Sequence, residues 1–405
     1  MISTINFKNY KIFKEKQSLE LKPITILIGK NNSGKSAVAK LPTVIEGSLN
    51  SNTHEAIQLV NDGVEIGGEL RDLIYGKANR TLDIGIEYSN EYGENKLNVA
   101  VLITEEKKKQ TSKIDFWQLN DEARLHYQGT KNIYQDDISG HDFKCEFLGF
   151  ELANYFYSDK QDSSGTTLRQ TAKLKTDYIG PIRTIPERDY RLISQKLEKF
   201  GINGENSYQF LIEDALTTDK KILSQVSKWY QNNFEGWGIK INQDRAPVFQ
   251  VEIQRNEIRQ NIKDAGMGIN QVLPLVVRAF KPCREDTLII IEEPETHLHP
   301  AAHGNLAELF VKSIDQRNKR YLIETHSQNF VLRLRRLIAE GKLSKEKLAI
   351  YYVCFDQDKN YSNLEKIEVD DLGQVTKWPE GVFTEALDET IAIRTAQLAN
   401  TTHAD

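Results

Sequence analysis

Eight residues near the start of the chain, Gly29-Lys-Asn31-Asn32-Ser33-Gly34-Lys35-Ser36, limit what it can fold into more than any other stretch. They fit GxxxxGK[ST] and follow an apolar, β-branched run, Pro23 to Gly29, that reads as a buried strand. From Ala37 the pattern turns helical until Gly47. Strand, glycine loop and helix in that order make a phosphate cradle. The glycines let the backbone wrap an anion, and the helix start adds N–H donors and partial positive charge. Residues 29 and 31–37 are therefore the expected nucleotide contacts, with Lys35 bridging the β- and γ-phosphates of ATP and Ser36 giving its hydroxyl to Mg2+. A Gly/Asn turn can match such a pattern by chance, but the strand and helix around it argue otherwise.

A second apolar strand, Thr287-Leu-Ile-Ile-Ile-Glu292-Glu293-Pro294-Glu295, ends in acids. Strands often end in solvated acids. Beside a phosphate loop, one acid can hold Mg2+ and the next can orient and deprotonate the attacking water. Glu292 is assigned to the metal and Glu293 to the water. A third apolar strand, Tyr321-Leu-Ile-Glu-Thr-His326-Ser327, ends in a histidine that can sense the γ-phosphate or fix the water, although a histidine at a strand end is also a common structural residue. His297, His299 and His303 match no strong ligand spacing and read as a loop with interface roles.

Asp264-Ala-Gly266-Met-Gly268-Ile-Asn270-Gln271 precedes the helix VLPLVVRAF. Glycines at a helix start, followed by Asn and Gln, form another anion-binding cap. One chain does not need two caps for one triphosphate, whereas a head-to-tail pair does. By composition alone an ordinary glycine turn is the simpler reading.

With GKNNSGKS, DAGMGINQVLP, LIIIEEPETHLHP and YLIETHS in this order, the chain resembles the ABC-like ATPases of the RecF, SMC and overcoming-lysogenization-defect (OLD) group. The likeness is strongest to stand-alone bacterial ATPases of phage-defence operons, which YIGPIRTIPERDY at 178–190 and the tail DDLGQVTKWPEGVFTEALDE also resemble. The resemblance implies that 264–271 is the signature segment, with Gly266, Gly268, Asn270 and Gln271 meeting ATP held between two subunits. It further implies that Glu293 is the catalytic glutamate and His326 the switch histidine. Three positions depart from the pattern: Glu292 replaces the usual aspartate, His299 replaces another, and no lobe-linking glutamine is evident near Tyr178 to Arg183. Arg183 is expected to touch nucleotide or partner, or to be a plain surface arginine.

Strand–helix alternation at both ends predicts an α/β fold. The expected architecture is an ABC-type ATPase head: a mixed, largely parallel sheet flanked by helices, plus an antiparallel β layer and an inserted helical lobe. All 405 residues are read as one domain. Residues 1–50 and 260–405 form the nucleotide-binding core, 51–188 the antiparallel layer with a mobile loop at 158–175, and 189–259 a helical and β insert without coiled-coil heptads. A final helix is expected at 382–399.

The formal net charge of −5 argues against a generic nucleic-acid binder, though not against a local basic groove. The runs Arg333 to Arg336 and Lys107 to Lys109, with Arg183, Arg188 and Arg191, can touch DNA or a partner, or be solvated faces. Three dispersed cysteines fit a reduced, cytoplasmic protein, and no apolar run is long enough for a membrane span. Only about 75 residues follow His326 without an acidic metal cluster, so no intrinsic nuclease is expected. The functional expectation is an ATP-dependent homodimer, or higher oligomer, that controls a separately encoded nuclease or toxin in anti-phage defence. A RecF-like DNA clamp and a low-turnover ATP-dependent scaffold are the alternatives.

Overall fold

The computed structural model describes residues 1–405 except 92, 107, 131, 158–171, 195, 316–317, 376–377, 380–381, 384–388, 396 and 398–405. Most of the expected mobile loop lies outside the described residues, as do 384–388, 396, 398 and 399 of the expected final helix, whose residues 389–395 are helical. The chain opens with β1 (Ile2–Lys8), β2 (Gln17–Glu20), β3 (Ile24–Gly29) and α1 (Lys35–Leu49). A small hairpin, β4 (Val60–Asn61) and β5 (Val64–Glu65), leads into β6 (Leu82–Asn90), β7 (Gly93–Glu106), β8 (Lys109–Leu119), β9 (Ala123–Tyr127), β10 (Ile133–Asp136), β11 (Asp142–Leu148) and β12 (Glu151–Tyr157). Next come β13 (Thr176–Ile179), β14 (Tyr190–Arg191), α2 (Ser207–Ala215), α3 (Lys221–Asn233), β15 (Gly238–Arg245), β16 (Val248–Arg255) and β17 (Ile258–Asn261). The last stretch holds α4 (Met267–Phe280), β18 (Thr287–Glu292), α5 (Pro300–Ile314), β19 (Lys319–Glu324), α6 (Gln328–Ala339), β20 (Leu348–Asp356) and β21 (Tyr361–Ile367).

Two large sheets face each other across α1. The nine-stranded sheet runs β12-β11-β10-β9-β8-β7-β6-β1-β2 and is antiparallel throughout. The six-stranded sheet runs β13-β18-β19-β3-β20-β21, parallel except at β21. Its strands alternate strictly. Leu27, Leu288, Ile290 and Leu322 enter the core shared with α1 and the antiparallel sheet. Ile26, Ile28, Ile289, Ile291 and Ile323 enter the core under α2 to α6. A strand buried on both faces is apolar at every position, which is why these runs are unbroken.

Three strands change sides relative to the expected partition. β1 and β2 lie in the antiparallel sheet rather than the nucleotide-binding core, because β1 pairs β6. β13 leaves the antiparallel layer and extends the parallel sheet beside β18. A buried ion pair ties β13 to α4: Arg278 Nε lies 2.7 Å from Asp177 Oδ2, with both side chains about 5% exposed or less. Asp177 also accepts a hydrogen bond from the Phe200 amide at 3.0 Å.

Removing one partner of a buried ion pair strands the other charge. Asp177→Ala is therefore expected to lower stability by about 3–5 kcal/mol, read as a drop in the urea midpoint. Asp177→Leu combined with Arg278→Met should recover most of that loss.

Candidate active site

Strand order decides which side chains meet at the sheet edge. β19 lies between β18 and β3, so its end stands between the acid-tipped strand and the phosphate loop. The register pairs Glu292 with Glu324, and Glu324 with Leu27.

The loop after β3 is shaped to receive an anion. A Cβ on Gly29 would sit 2.3 Å from the Val353 carbonyl oxygen, so no larger residue fits. Gly34, at φ 100°, caps α1 without any side-chain hydrogen bond, which leaves the first amides of the helix free for a ligand. Ser33 Oγ is buried without a partner. Lys35 is 4% exposed, donates to the Lys30 carbonyl at 2.8 Å, and lies 3.7 Å from Glu324 Oε1. Burial lowers its pKa, and the charges of Glu324, Glu293 and Glu292 oppose that shift.

Glu324 also accepts a hydrogen bond from Ser36 Oγ at 2.8 Å. It thus engages both side chains expected to serve the nucleotide and its metal. No motif singles out Glu324, which in the sequence is one more residue of the strand that ends in His326. Glu292, the expected metal ligand, accepts from the Tyr178 hydroxyl at 2.8 Å. Burial, with the negative charge of Glu324 second, raises the Glu292 pKa to about 7, against the Tyr178 and Ser36 hydroxyls and Lys40. Burial raises that of Glu324 as well.

Glu293 occupies a left-handed turn at φ 45°. Its amide donates to the Glu324 carbonyl at 2.8 Å, and its Oε2 accepts from Thr296 Oγ1 at 3.0 Å. Arg183 Nη2 donates to the carbonyls of Glu292 (3.0 Å) and Glu293 (2.7 Å). Glu295 accepts from Thr325 Oγ1 at 2.8 Å and from the His326 amide at 2.6 Å, joining the ends of β18 and β19. The His326 imidazole is exposed, yet partial desolvation and the Lys35 charge lower its pKa against Glu293 and Glu295. His326 thus lies within the electrostatic reach of Lys35, Glu293 and Glu295.

Other expected contacts are arranged differently. Gly266 and Met267 are exposed, and Gly268 packs so closely that a Cβ would lie 2.8 Å from the His297 carbonyl oxygen. Asn270 and Gln271 instead turn inward: Asn270 Nδ2 donates to the Ala265 carbonyl at 3.3 Å and Gln271 Nε2 to the Arg183 carbonyl at 3.2 Å. Among the described residues no hydrogen bond or ion pair joins 264–271 to 29–36. Arg183 is neither a surface residue nor exposed to a partner; it is 2% exposed. His303 is internal to the chain, bridging Ser327 Oγ (2.8 Å) and the Leu298 carbonyl (3.1 Å), while His299 caps α5 by accepting from the Ala301 amide. Lys107 lies outside the described residues. Arg333 pairs with Glu308, Arg336 with Glu340 and Arg188 with Asp264, so much of the basic character proposed for DNA is neutralised within the chain.

Among the described residues no three His, Cys, Asp or Glu side chains can hold a metal unaided. The Ser36, Glu292 and Glu324 set fits a Mg2+ ion that takes its other ligands from phosphate and water. A phosphate loop with its lysine in the first turn of α1, and two strands beside it, β19 and β18, that both end in acids, define a P-loop ATPase. The chain belongs to the AAA ATPase domain family, whose model matches residues 1–331. A protein family of unknown function (DUF3696) matches residues 343–392. The Old nuclease of Escherichia phage P2 is 22% identical over 82% of this chain and 57% of its own length. The OLD nuclease of Thermus scotoductus is 19% identical over 89% of this chain and 65% of its own length. Protein ea59 of Escherichia phage lambda is 24% identical over 43% of this chain and 30% of its own length. The chain thus spans less than two thirds of the curated relatives it matches. Among solved structures, the SMC head domain of Thermotoga maritima covers 91% of the chain and 99% of itself at 11% identity, TM-score 0.44. An Smc head from Pyrococcus furiosus covers 97% of the chain and 99% of itself at 12% identity, TM-score 0.47. The match to this ATPase family and the relation to the OLD nucleases agree with the order of motifs, which is that of an ABC-like P-loop ATPase. No helix among the described residues is long and apolar enough to cross a membrane.

A carboxyl group whose pKa is raised in the folded state holds a proton that the unfolded chain releases. Ligand-free protein in chelator should therefore lose stability relative to Glu292→Gln as pH rises from about 4.5 to about 7. The difference in slope is up to about 1.4 kcal/mol per pH unit, measured by denaturant titration at several pH values.

Proposed function

We propose that the protein hydrolyses ATP between two copies of itself, and that this cycle controls a separately encoded effector in bacterial anti-phage defence. The observation that carries the hydrolytic part is the meeting of Lys35, Ser36, Glu324 and the Glu292–Glu293 tip at three adjacent strand ends. In this reading Lys35 and the amides of Gly34 to Ala37 bind the β- and γ-phosphates. Ser36, Glu292 and Glu324 would hold Mg2+, which when bound neutralises developing phosphate charge. Glu293 orients the attacking water and takes its proton. His326, held through its amide by Glu295, hydrogen-bonds the γ-phosphate or that water.

The exposed Gly266 and Met267 support a composite site, because among the described residues no hydrogen bond or ion pair joins 264–271 directly to 29–36. The glycine backbone of that segment, not Asn270 or Gln271, is the surface offered to a second subunit's nucleotide. Two of the relatives are phage proteins, which supports a role in contests between phage and host. The acids that gather here face the phosphate loop, and DNA cleavage, the activity in the relatives' names, falls to the effector.

Glu293→Gln is expected to slow hydrolysis by about 10²–10⁴-fold while still binding ATP. Light scattering should show the mass of this variant doubling with ATP and Mg2+. A variant that binds ATP yet stays monomeric at every concentration would remove the two-subunit reading. Cleavage of plasmid DNA by the purified protein with Mg2+ or Mn2+ would remove the separate-effector reading.

A further inference from the structure

The segment Gly180-Pro-Ile182-Arg183-Thr184-Ile185 reverses the usual sorting of side chains. Ile182 and Ile185 are 78% and 67% exposed, whereas Arg183 between them is 2% exposed. Backbone hydrogen bonds fix the inversion on both sides: the Gly180 amide donates to the Ile202 carbonyl at 2.8 Å and the Thr184 amide to the Asn203 carbonyl at 2.9 Å. The buried guanidinium has no carboxylate within ion-pair distance among the described residues, and its Nε and Nη1 have no hydrogen-bond partner. Burial lowers its pKa to about 10, with Glu295 and Glu293 acting in the other direction. Burying a cation on these terms destabilises the fold, so stability does not explain its presence.

Its contacts do. Through one nitrogen, Arg183 holds the carbonyls of Glu292 and Glu293, in the two peptides that flank the left-handed α-carbon of Glu293. Its own carbonyl accepts from Gln271, which lies in the second turn of α4, just behind the exposed glycine cap. The start of α4 meets the acid turn a second time, where Gly268 abuts the His297 carbonyl. α4 and the acid turn are therefore connected at two points, one of them through Arg183.

We propose that Arg183 is a positioning residue for ATP hydrolysis: it fixes the turn that aims Glu293 and ties that turn to the glycine cap on α4. The proposal rests on the reading of Glu293 as the group that activates water. A partner's nucleotide bearing on the cap then reaches Glu293 by way of Gln271 and Arg183. Lysine does not reproduce the double contact: its side chain ends one atom short of the Arg183 Nη2 that makes both bonds, and its compact ammonium is more strongly hydrated than a guanidinium and costs more to bury.

Arg183→Lys is expected to lower kcat about hundredfold while KM and the affinity for a fluorescent ATP analogue stay within about threefold. Placed on Glu293→Gln, the same change should have no further effect, because it acts through that carboxylate. In ligand-free protein, hydrogen exchange of the 292–297 amides should accelerate, with 35–39 unchanged. A folded Arg183→Lys protein with wild-type kcat, or losses that multiply in the double variant, overturns the proposal. If Arg183→Lys does not fold, Gln271→Ala carries the same cycle and exchange measurement, with a kcat loss of about tenfold that vanishes on Glu293→Gln; unchanged exchange at 292–297 overturns the link. If Glu293→Gln alone hydrolyses ATP normally, the hydrolytic reading fails, and the exchange measurement still decides whether Arg183 holds the turn.

Discussion

Lys35 brings one ammonium to an edge where Glu292, Glu293, Glu295 and Glu324 all arrive, and the site is organised around keeping those acids together. Like charges at this spacing in a low dielectric repel strongly. The fold answers with donors matched to each carboxylate: Tyr178 for Glu292, Thr296 for Glu293, Thr325 and the His326 amide for Glu295, Ser36 for Glu324. Even so, Glu292 retains affinity for a proton near neutrality. A site in this condition is poised for positive charge. A divalent cation with a triphosphate satisfies it twice, since the cation relieves the acids while the phosphates relieve Lys35 and the free amides of α1.

The rigidity this requires comes from the layers. α1 lies between the parallel sheet and the antiparallel one, with Val38, Leu41, Val44 and Ile45 buried in the shared core. Farther along the same helix, buried Glu46 accepts from the Thr176 amide at 3.1 Å and pairs with Lys199 at 2.9 Å. The helix that presents Lys35 at its first turn is thus held to β13 near its last. β13 in turn supplies Tyr178 to Glu292, and the loop after it supplies Arg183. One edge strand therefore holds the far end of the phosphate-binding helix and steadies the acid turn.

How much of this was legible in the sequence depended on distance along the chain. The phosphate loop, the acid tip and the histidine were readable because each is a local pattern, a strand followed by a few chemically distinctive residues. Glu324 was not, because its importance comes from β19 lying between β18 and β3, and strand order is not written in any single strand. The transfer of β1, β2 and β13 between sheets was hidden for the same reason: a short apolar strand carries no mark of its neighbours. The burial of Arg183 does not follow from its place between the apolar Ile182 and Ile185, because only the tertiary bonds to Ile202 and Asn203 invert the segment. Asn270 and Gln271 were chemically plausible ligands whose helical phase turns them inward.

The left-handed backbone of Glu293 links these observations. A non-glycine residue in that region is strained by roughly 1–3 kcal/mol and stays there only when its surroundings hold it. Here the amide of Glu293 is bound by the Glu324 carbonyl, and its carbonyl is bound by Arg183. One anchor belongs to the strand beside the phosphate loop, and the other leads to α4 and the glycine cap. The water-activating carboxylate of the proposed mechanism is therefore suspended between the two anion-binding elements of the chain. Strain held at such a point is sensitive to both, so a turn that relaxes when either anchor shifts makes hydrolysis conditional on the state of each. That dependence explains why a chain with an otherwise ordinary core retains a buried, half-satisfied arginine where an aliphatic residue would be more stable.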